Sequence, residues 1–414
     1  MRPCRPFVLL HLPPLAVGLA RGATVEDCES LAGRLSLPDT AYADLNYGAS
    51  HRFATVGTNN GHDGTSGAPF YNNPGVLEDY VYRAVHLEAA LGKAVAAEFY
   101  GEPHTRAYYL GCSTGGRQGF KEAQSFPDDF DGIVAGAPAF NLNALQYWTA
   151  RLFLKTGASG DARFLTPAQW ALVNDDIMAQ CDGLDGLEDG ILEASDLCRY
   201  RPAERLVCRP ADPSESCLTR EQAATVRAYP LDWFRYALFG DPAWDVSTLG
   251  PRDYDAAARL DPFNASTWQG DLSRARDRGV KILHYHGMQD PAIGAEISQA
   301  YYDRVSRTMG LPPAELDAFY RYFRISGMGH CSGGTGAALI GGSTNGFASF
   351  EPDANVLAAV VRWVEEGVAP DYILGSRRSP AGDVDLQRRH CKYPARNVFK
   401  GEGDPSKPDG WECV

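Results

Sequence analysis

The stretch Tyr108-Tyr109-Leu110-Gly111-Cys112-Ser113-Thr114-Gly115-Gly116-Arg117-Gln118-Gly119-Phe120 decides the fold. Tyr108 to Leu110 reads as a buried strand, the next five residues as a tight turn, and Thr114 to Ser125 as a helix. In the turn, glycines flank a serine in the pattern G-x-S-x-G. That spacing lets the backbone pass sharply from strand to helix, leaving the hydroxyl exposed at the carboxyl end of the strand and a helix N-terminus aimed at any oxyanion formed beside it. The alternative is a Gly/Ser-rich turn without chemistry, and the strand before it and helix after it argue against that.

Outward from this turn the pattern alternates. Phe130 to Val134 is a second buried strand, and upstream Arg52 to Val56 is a strand feeding the loop Gly57-Thr58-Asn59-Asn60-Gly61. From Leu77 the apolar residues Val81, Ala84, Val85, Leu91, Val95 and Phe99 recur at helical spacing, with Glu88 the one polar gap in the stripe. Downstream come Val280 to Tyr285 (strand), Ala295 to Met309 (helix), Phe319 to Ile325 (strand) and Ala354 to Glu366 (helix). Strand–helix alternation of this kind predicts an α/β fold on a parallel sheet. Between about Phe140 and Asn264 periodicity weakens among Trp, Tyr, Gly, Asp and paired cysteines, which predicts an insertion over 140–270 between catalytic segments 24–139 and 271–414. The tail after Ser376 is polar and Pro-rich.

A chain of 414 residues, 44% apolar and 22% charged, can bury a large core. Its net charge of -13, without a Lys/Arg-rich block, would repel phosphate backbones and excludes nucleic acid as an expected partner. Residues 1–23 read as an export signal: a basic start at Arg2 and Arg5, an apolar stretch from Phe7 to Ala20 broken by Pro13 and Pro14, then Gly22 and Ala23. An untidy start of the mature chain is the alternative. No later run is long and apolar enough for a membrane span, so a secreted, extracellular protein without a membrane anchor is expected. Asn264-Ala265-Ser266 is a glycosylation sequon.

Serine needs a base to take its proton and an acid to orient that base. In chain order after Ser113, Asp290 follows the strand ending near Tyr285, and His330 follows the strand ending near Ile325. Ser, acid, His is the order of the α/β-hydrolase triad. The bland alternatives are a loop carboxylate and a packed histidine. His284 and His286 compete for the base's role, but lie in or at the end of a strand and are read as mainly structural. Cys112 precedes the serine and Cys331 follows the histidine, so a disulfide between them would staple nucleophile to base. Unpaired or differently paired cysteines are the alternative.

Of ten cysteines, removal of the signal would take Cys4 and leave nine, an odd number for an exported chain. Cys181 with Cys198, Cys208 with Cys217, and Cys391 with Cys413 would each close a local loop. Inside the first of these, Asp182, Asp185 and Asp189 share a Gly-punctuated segment whose oxygens suit Ca²⁺, although Leu184 and Gly186 exclude an EF-hand. A solvated acidic turn is the alternative.

Taken together, Cys112-Ser113, Asp290 and His330-Cys331 resemble the Cys-Ser/His-Cys signature of the tannase and feruloyl esterase family. The likeness extends to Asn59-Asn60-Gly61-His62-Asp63-Gly64 and Phe130-Asp131-Gly132. The resemblance implies an α/β-hydrolase core with an inserted lid domain, and an exported serine carboxylic-ester hydrolase acting on aromatic esters of plant polymers, hydroxycinnamate such as ferulate or gallate. It implies Ser113 as nucleophile, His330 as general base and acid, Asp290 as orienting acid and Thr114 as one oxyanion N–H donor. It further implies a structural Ca²⁺ held by Asp182, Asp185 and Asp189 with the carbonyls of Leu187 and Ile191. Two departures stand out. Several tens of residues expected between Thr40 and Ala41 are missing, and they would carry a cysteine, early strands and the loop with the second oxyanion donor. A shortening also falls at Val226 to Pro230, inside the lid. The first would leave Cys28 without its partner, and it implies the alternative of a catalytically impaired, Ca²⁺-stabilised secreted homologue.

Overall fold

The computed structural model describes residues 7–11, 47–64, 66–157, 159–193, 195–200, 206–208, 217–219, 222, 237–239, 241, 243–245, 248–342 and 348–414. Cys4, Cys28, the Thr40/Ala41 junction and the shortening at Val226 to Pro230 lie outside them. A six-stranded sheet has the order β2-β1-β3-β4-β5-β6, from β1 (Phe7–His11), β2 (Phe53–Gly57), β3 (Arg106–Cys112), β4 (Gly132–Gly136), β5 (Lys281–Gly287) and β6 (Tyr320–Ile325). From β3 to β6 every pairing is parallel, as the alternation predicts, so their carboxyl ends share one edge of the sheet. Each of these strands is buried along nearly its whole length, as expected of a parallel sheet covered on both faces.

The place between β2 and β3 is taken by β1, antiparallel to both. Phe7–His11 belongs to the stretch whose apolar run reads as an export signal. A signal removed by a peptidase cannot also hold an interior strand of the sheet, so strand and cleavage exclude one another in a single molecule.

Helix α1 (Ala84–Tyr100) packs against β1 and β2, and the helical reading of its sequence holds. Its buried face does not match the apolar stripe. Val85, Ala89, Gly92 and Ala96 face inward, whereas Leu87, Leu91, Val95 and Phe99 are exposed. Close approach explains the inversion: a Cβ at Gly92 would stand 2.7 Å from Val56 Cγ2, so this helix meets the sheet through its small residues. Glu88, read as a polar gap, has both carboxylate oxygens buried and without a hydrogen-bond partner.

Helix α2 (Thr114–Ser125) follows β3 directly and packs on β3 and β4. Between β4 and β5 run α3 (Leu142–Thr156), α4 (Pro167–Cys181) and α5 (Pro251–Leu260), in the segment read as inserted. α4 begins with a capping box in which Thr166 and Gln169 satisfy each other's backbone N–H groups. After β5 come α6 (Glu296–Met309) and, after β6, α7 (Val356–Glu366). The polar tail is more ordered than its composition implies. β7 (Tyr372–Arg378) and β8 (Val384–Cys391) form a hairpin, and β9 (Asn397–Phe399) pairs with β10 (Trp411–Cys413).

Candidate active site and acidic loop

Ser113 lies between β3 and α2 with φ 65° and ψ -121°. A non-glycine residue at positive φ is strained by about 1–3 kcal/mol and persists only where its surroundings hold it. Here they do: Ser113 N donates to Gly136 O (2.9 Å), and Ser113 O accepts from Arg117 N (3.0 Å) and Ala139 N (3.1 Å). Gly116 lets the helix lie this close to β4, since a Cβ there would stand 2.2 Å from Gly136 O. Thr114 opens α2, so its N–H is among the first-turn donors with no acceptor inside the helix.

Asp290, in the loop after β5, has a fully buried side chain. Its Oδ1 accepts from Ala292 N (2.8 Å) and Ile293 N (2.9 Å), and its Oδ2 from His330 Nδ1 at 2.7 Å. Burial alone would raise this carboxyl, but hydrogen bonds from His286 and His330 outweigh it and hold Asp290 well below the usual carboxylate range. An ionised Asp290 fixes the proton of His330 on Nδ1 and leaves Nε2 as the free base. Cys112 and Cys331 are joined by a disulfide with Cα atoms 6.0 Å apart, so the neighbours of Ser113 and His330 are covalently tied across 219 positions. Three further disulfides, Cys181–Cys198, Cys208–Cys217 and Cys391–Cys413, match the sequence reading.

His286 is closer to this chemistry than its strand position implied. Its Nε2 lies 3.2 Å from Asp290 Oδ2 and 3.1 Å from Ile293 O, both acceptors, so Nε2 carries the proton. The rest of the chain then follows. His286 Nδ1 accepts from Ser298 Oγ (2.6 Å), Ser298 Oγ accepts from His284 Nε2 (2.8 Å), and His284 Nδ1 accepts from Tyr320 Oη (2.9 Å). Burial, with His286 beside it, holds His284 well below its ordinary value, consistent with a neutral ring. The signal was present in sequence: residues i and i+2 of a strand share a face, and His286 stands four residues before Asp290.

The acidic loop places Asp182, Asp185 and Asp189 around a set of Asx-type turns. Asp185 accepts from Leu187 N and Glu193 N, Asp189 from Ile191 N, and Asp182 from Gly190 N. Asp182 Oδ1 is buried without a partner, and burial with the nearby charges of Asp189 and Asp182 raises Asp185 despite its N–H donors. A buried orphan oxygen among carboxylates that repel one another suits a hard cation, although Asp182, Asp185 and Asp189 do not bring three ligand oxygens within 4.8 Å of one another. The loop is also anchored. Arg388, 1% exposed, donates to Asp189 (3.0 Å) and Glu193 (3.1 Å) while its guanidinium lies 3.5 Å from the Trp411 ring centroid. Glu193, pushed up to about 7 by burial, accepts from Ser326 at the end of β6, and Thr335 Oγ1 donates to Gly190 O. The acidic loop thus leans on the segment that carries His330.

The family model described as "Tannase and feruloyl esterase" matches residues 22–230 and 239–414. A probable feruloyl esterase B-2 of Aspergillus terreus is 45% identical, covering 90% of this chain and 78% of the relative. Feruloyl esterase C of Talaromyces stipitatus is 47% identical, covering 90% and 77%. The crystal structure of feruloyl esterase B from Aspergillus oryzae superposes with a TM-score of 0.86 at 45% identity, covering 90% of this chain and 82% of that one. A tannin acyl hydrolase from Aspergillus niger, 20% identical with a TM-score of 0.61, shares the fold.

Proposed function

Because the chain belongs to the tannase and feruloyl esterase family, and so is a carboxylic ester hydrolase with an α/β-hydrolase fold, we propose that it cleaves a hydroxycinnamate ester such as a ferulate, or a gallate, through an acyl-enzyme on Ser113. The observation that carries this reading is the 2.7 Å His330–Asp290 contact beside the Cys112–Cys331 bond, which together hold an oriented base next to the strained elbow. Ser113 Oγ attacks the ester carbonyl as His330 Nε2 takes its proton, and the Thr114 N–H at the start of α2 faces the oxyanion. His330 then gives that proton to the leaving alcohol. Water, deprotonated by the same nitrogen, attacks the acyl carbon, and the aromatic acid leaves as Ser113 regains its proton. Ser113→Ala should abolish turnover of methyl ferulate or methyl gallate, and an unchanged rate would sink the assignment.

A second reading, a catalytically impaired, Ca²⁺-stabilised secreted homologue, is favoured by one observation: the place in the sheet between β2 and β3 is taken by β1 from the first residues of the chain, while the relatives carry roughly a fifth of their length without a counterpart here. Loss of one oxyanion donor costs about 10²–10³ in turnover. Stoichiometric labelling of Ser113 by a fluorophosphonate without ester turnover would favour it.

The reading includes one bound Ca²⁺, on Asp182, Asp185 and Asp189 with the carbonyls of Leu187 and Ile191; when bound it supplies positive charge that quenches their mutual repulsion. Chelation should lower the melting temperature and Ca²⁺, but not Mg²⁺, should restore it; an unchanged melting temperature counts against the site. Export is part of the proposal. Disulfides persist in oxidising compartments, and no helix among the described residues is long and apolar enough to cross a membrane. Sequencing the N-terminus of exported protein decides between cleavage within residues 1–23 and retention of Phe7–His11.

A further inference from the structure

A second constellation of ligand-type side chains lies at the other edge of the sheet. His86 on α1, Glu122 near the end of α2, and Asp129 in the turn before β4 each offer a ligand atom, and these atoms all lie within 4.8 Å of one another. Among the described residues, it is the one group of three such side chains that closes to that distance. Glu122 is fully buried, and neither of its oxygens has a hydrogen-bond partner. The group it faces, Asp129, is another acceptor, and its Oδ2 is held by His86 Nδ1 at 2.6 Å. The nearby ammonium groups point elsewhere: Lys121 donates to the carbonyls of Phe263 and Asn264, and Lys93 to that of Asp128. Glu88, whose oxygens are also buried and unpartnered and which burial raises well above the ordinary carboxylate range, is a third acid near Glu122. Two facing carboxyl groups in a protein interior need either a proton or a cation between them.

We propose that His86, Glu122 and Asp129 bind a divalent transition-metal ion, Zn²⁺ by preference, as a structural site. One imidazole and two carboxylates form a mixed N/O set suited to Zn²⁺, whereas Ca²⁺ and Mg²⁺ favour all-oxygen sets. The His86 ring stacks on Phe126 at a centroid distance of 4.0 Å, which fixes its plane, and its side chain is 34% exposed, which leaves a path for the ion and a position for water. The ion would take the place of the hydrogen bond between His86 Nδ1 and Asp129, the imidazole keeping its proton on Nε2. It would pin α1 and α2 to the turn that launches β4. Glu122 lies eight residues beyond Thr114, about 12 Å along the helix. The site therefore touches none of the hydrolytic residues.

The test uses the full chain, stripped with chelator and returned to excess Ca²⁺ so that the acidic loop stays loaded. Zn²⁺ titrated by calorimetry should bind one to one and raise the melting temperature by several degrees; Co²⁺ should give the visible absorption of a low-coordinate site. His86→Gln, at a partly exposed position, and Glu122→Gln should each weaken binding at least tenfold and abolish the thermal shift. Asp189→Asn, in the acidic loop, should leave it intact. Absence of Zn²⁺ binding, with Glu122 instead sharing a proton with Asp129, overturns the proposal, as does binding that survives both His86→Gln and Glu122→Gln.

Discussion

Asp290 and Glu122 are both carboxyl groups buried in the same α/β layer, and their surroundings drive them in opposite directions. Asp290 is met by two backbone N–H groups and two imidazoles, and is held ionised. Glu122 meets no donor and faces another carboxyl, and burial with that neighbour raises it well above the ordinary range. Burial is common to both, so the count of donors decides the charge. At the hydrolytic edge the protein has built a charged acid to orient a base. At the opposite edge it has left an acid for which only a proton or a cation is a satisfactory partner.

The sharpest way to break this contrast is Asp290→Asn. The amide keeps the size of the side chain but offers an NH₂ group where His330 needs an acceptor, so the imidazole flips to the wrong tautomer. A fall of about 10⁴ in kcat is expected, as for orienting acids in other serine hydrolases. Loss of less than tenfold on a methyl ferulate assay would mean that Asp290 is no such acid.

His286→Phe removes one donor from the same carboxylate while leaving His330 in place. A hydrogen bond to a charged group contributes about 1.5–3 kcal/mol, so kcat should fall roughly tenfold to a hundredfold with KM little changed. His286→Gln retains a donor and should recover part of that loss. Equal losses in both variants would reduce His286 to packing, as its strand position first suggested.

How much of this was legible follows from where each signal resides. The elbow, the strands β3 to β6 and the order Ser113, Asp290, His330 are local patterns: short apolar runs, a G-x-S-x-G turn and loops that follow strands. The four disulfides were readable because cysteines flank the triad residues or close short loops. The buried face of α1 was misread because periodicity reports where large apolar residues recur, whereas the packing uses Ala89, Gly92 and Ala96 and leaves Leu91 and Val95 in solvent. The Arg388 anchor of the acidic loop joins residues nearly 200 positions apart, and His86, Glu122 and Asp129 come from three separate elements; neither grouping has a spacing that sequence could show. The hairpin β7–β8 was missed because its strands are rich in arginine and carry little apolar alternation.

The smallest expected effect is on the pH dependence of stability, and here the two carboxyls should oppose one another. A depressed folded-state pKa, as at Asp290, gives stability that is present above the unfolded carboxylate value near 3.9 and lost as pH falls through the folded value. A raised one, as at Glu122, gives stability that is full below about 4.3 and lost as pH rises through the folded value. Chemical denaturation between pH 3 and 8, on protein free of transition metal and saturated with Ca²⁺, should therefore show Asp290→Asn losing slope on the acid side. Glu122→Gln should be nearly neutral at pH 4, where a protonated acid is exchanged for an amide, and should stabilise relative to the parent as pH rises. With Zn²⁺ added the order should reverse at neutral pH, because the parent then gains an ion that the variant cannot hold. Parallel pH profiles for parent and Glu122→Gln without metal would show that Glu122 is already satisfied, and the contrast with Asp290 would fail.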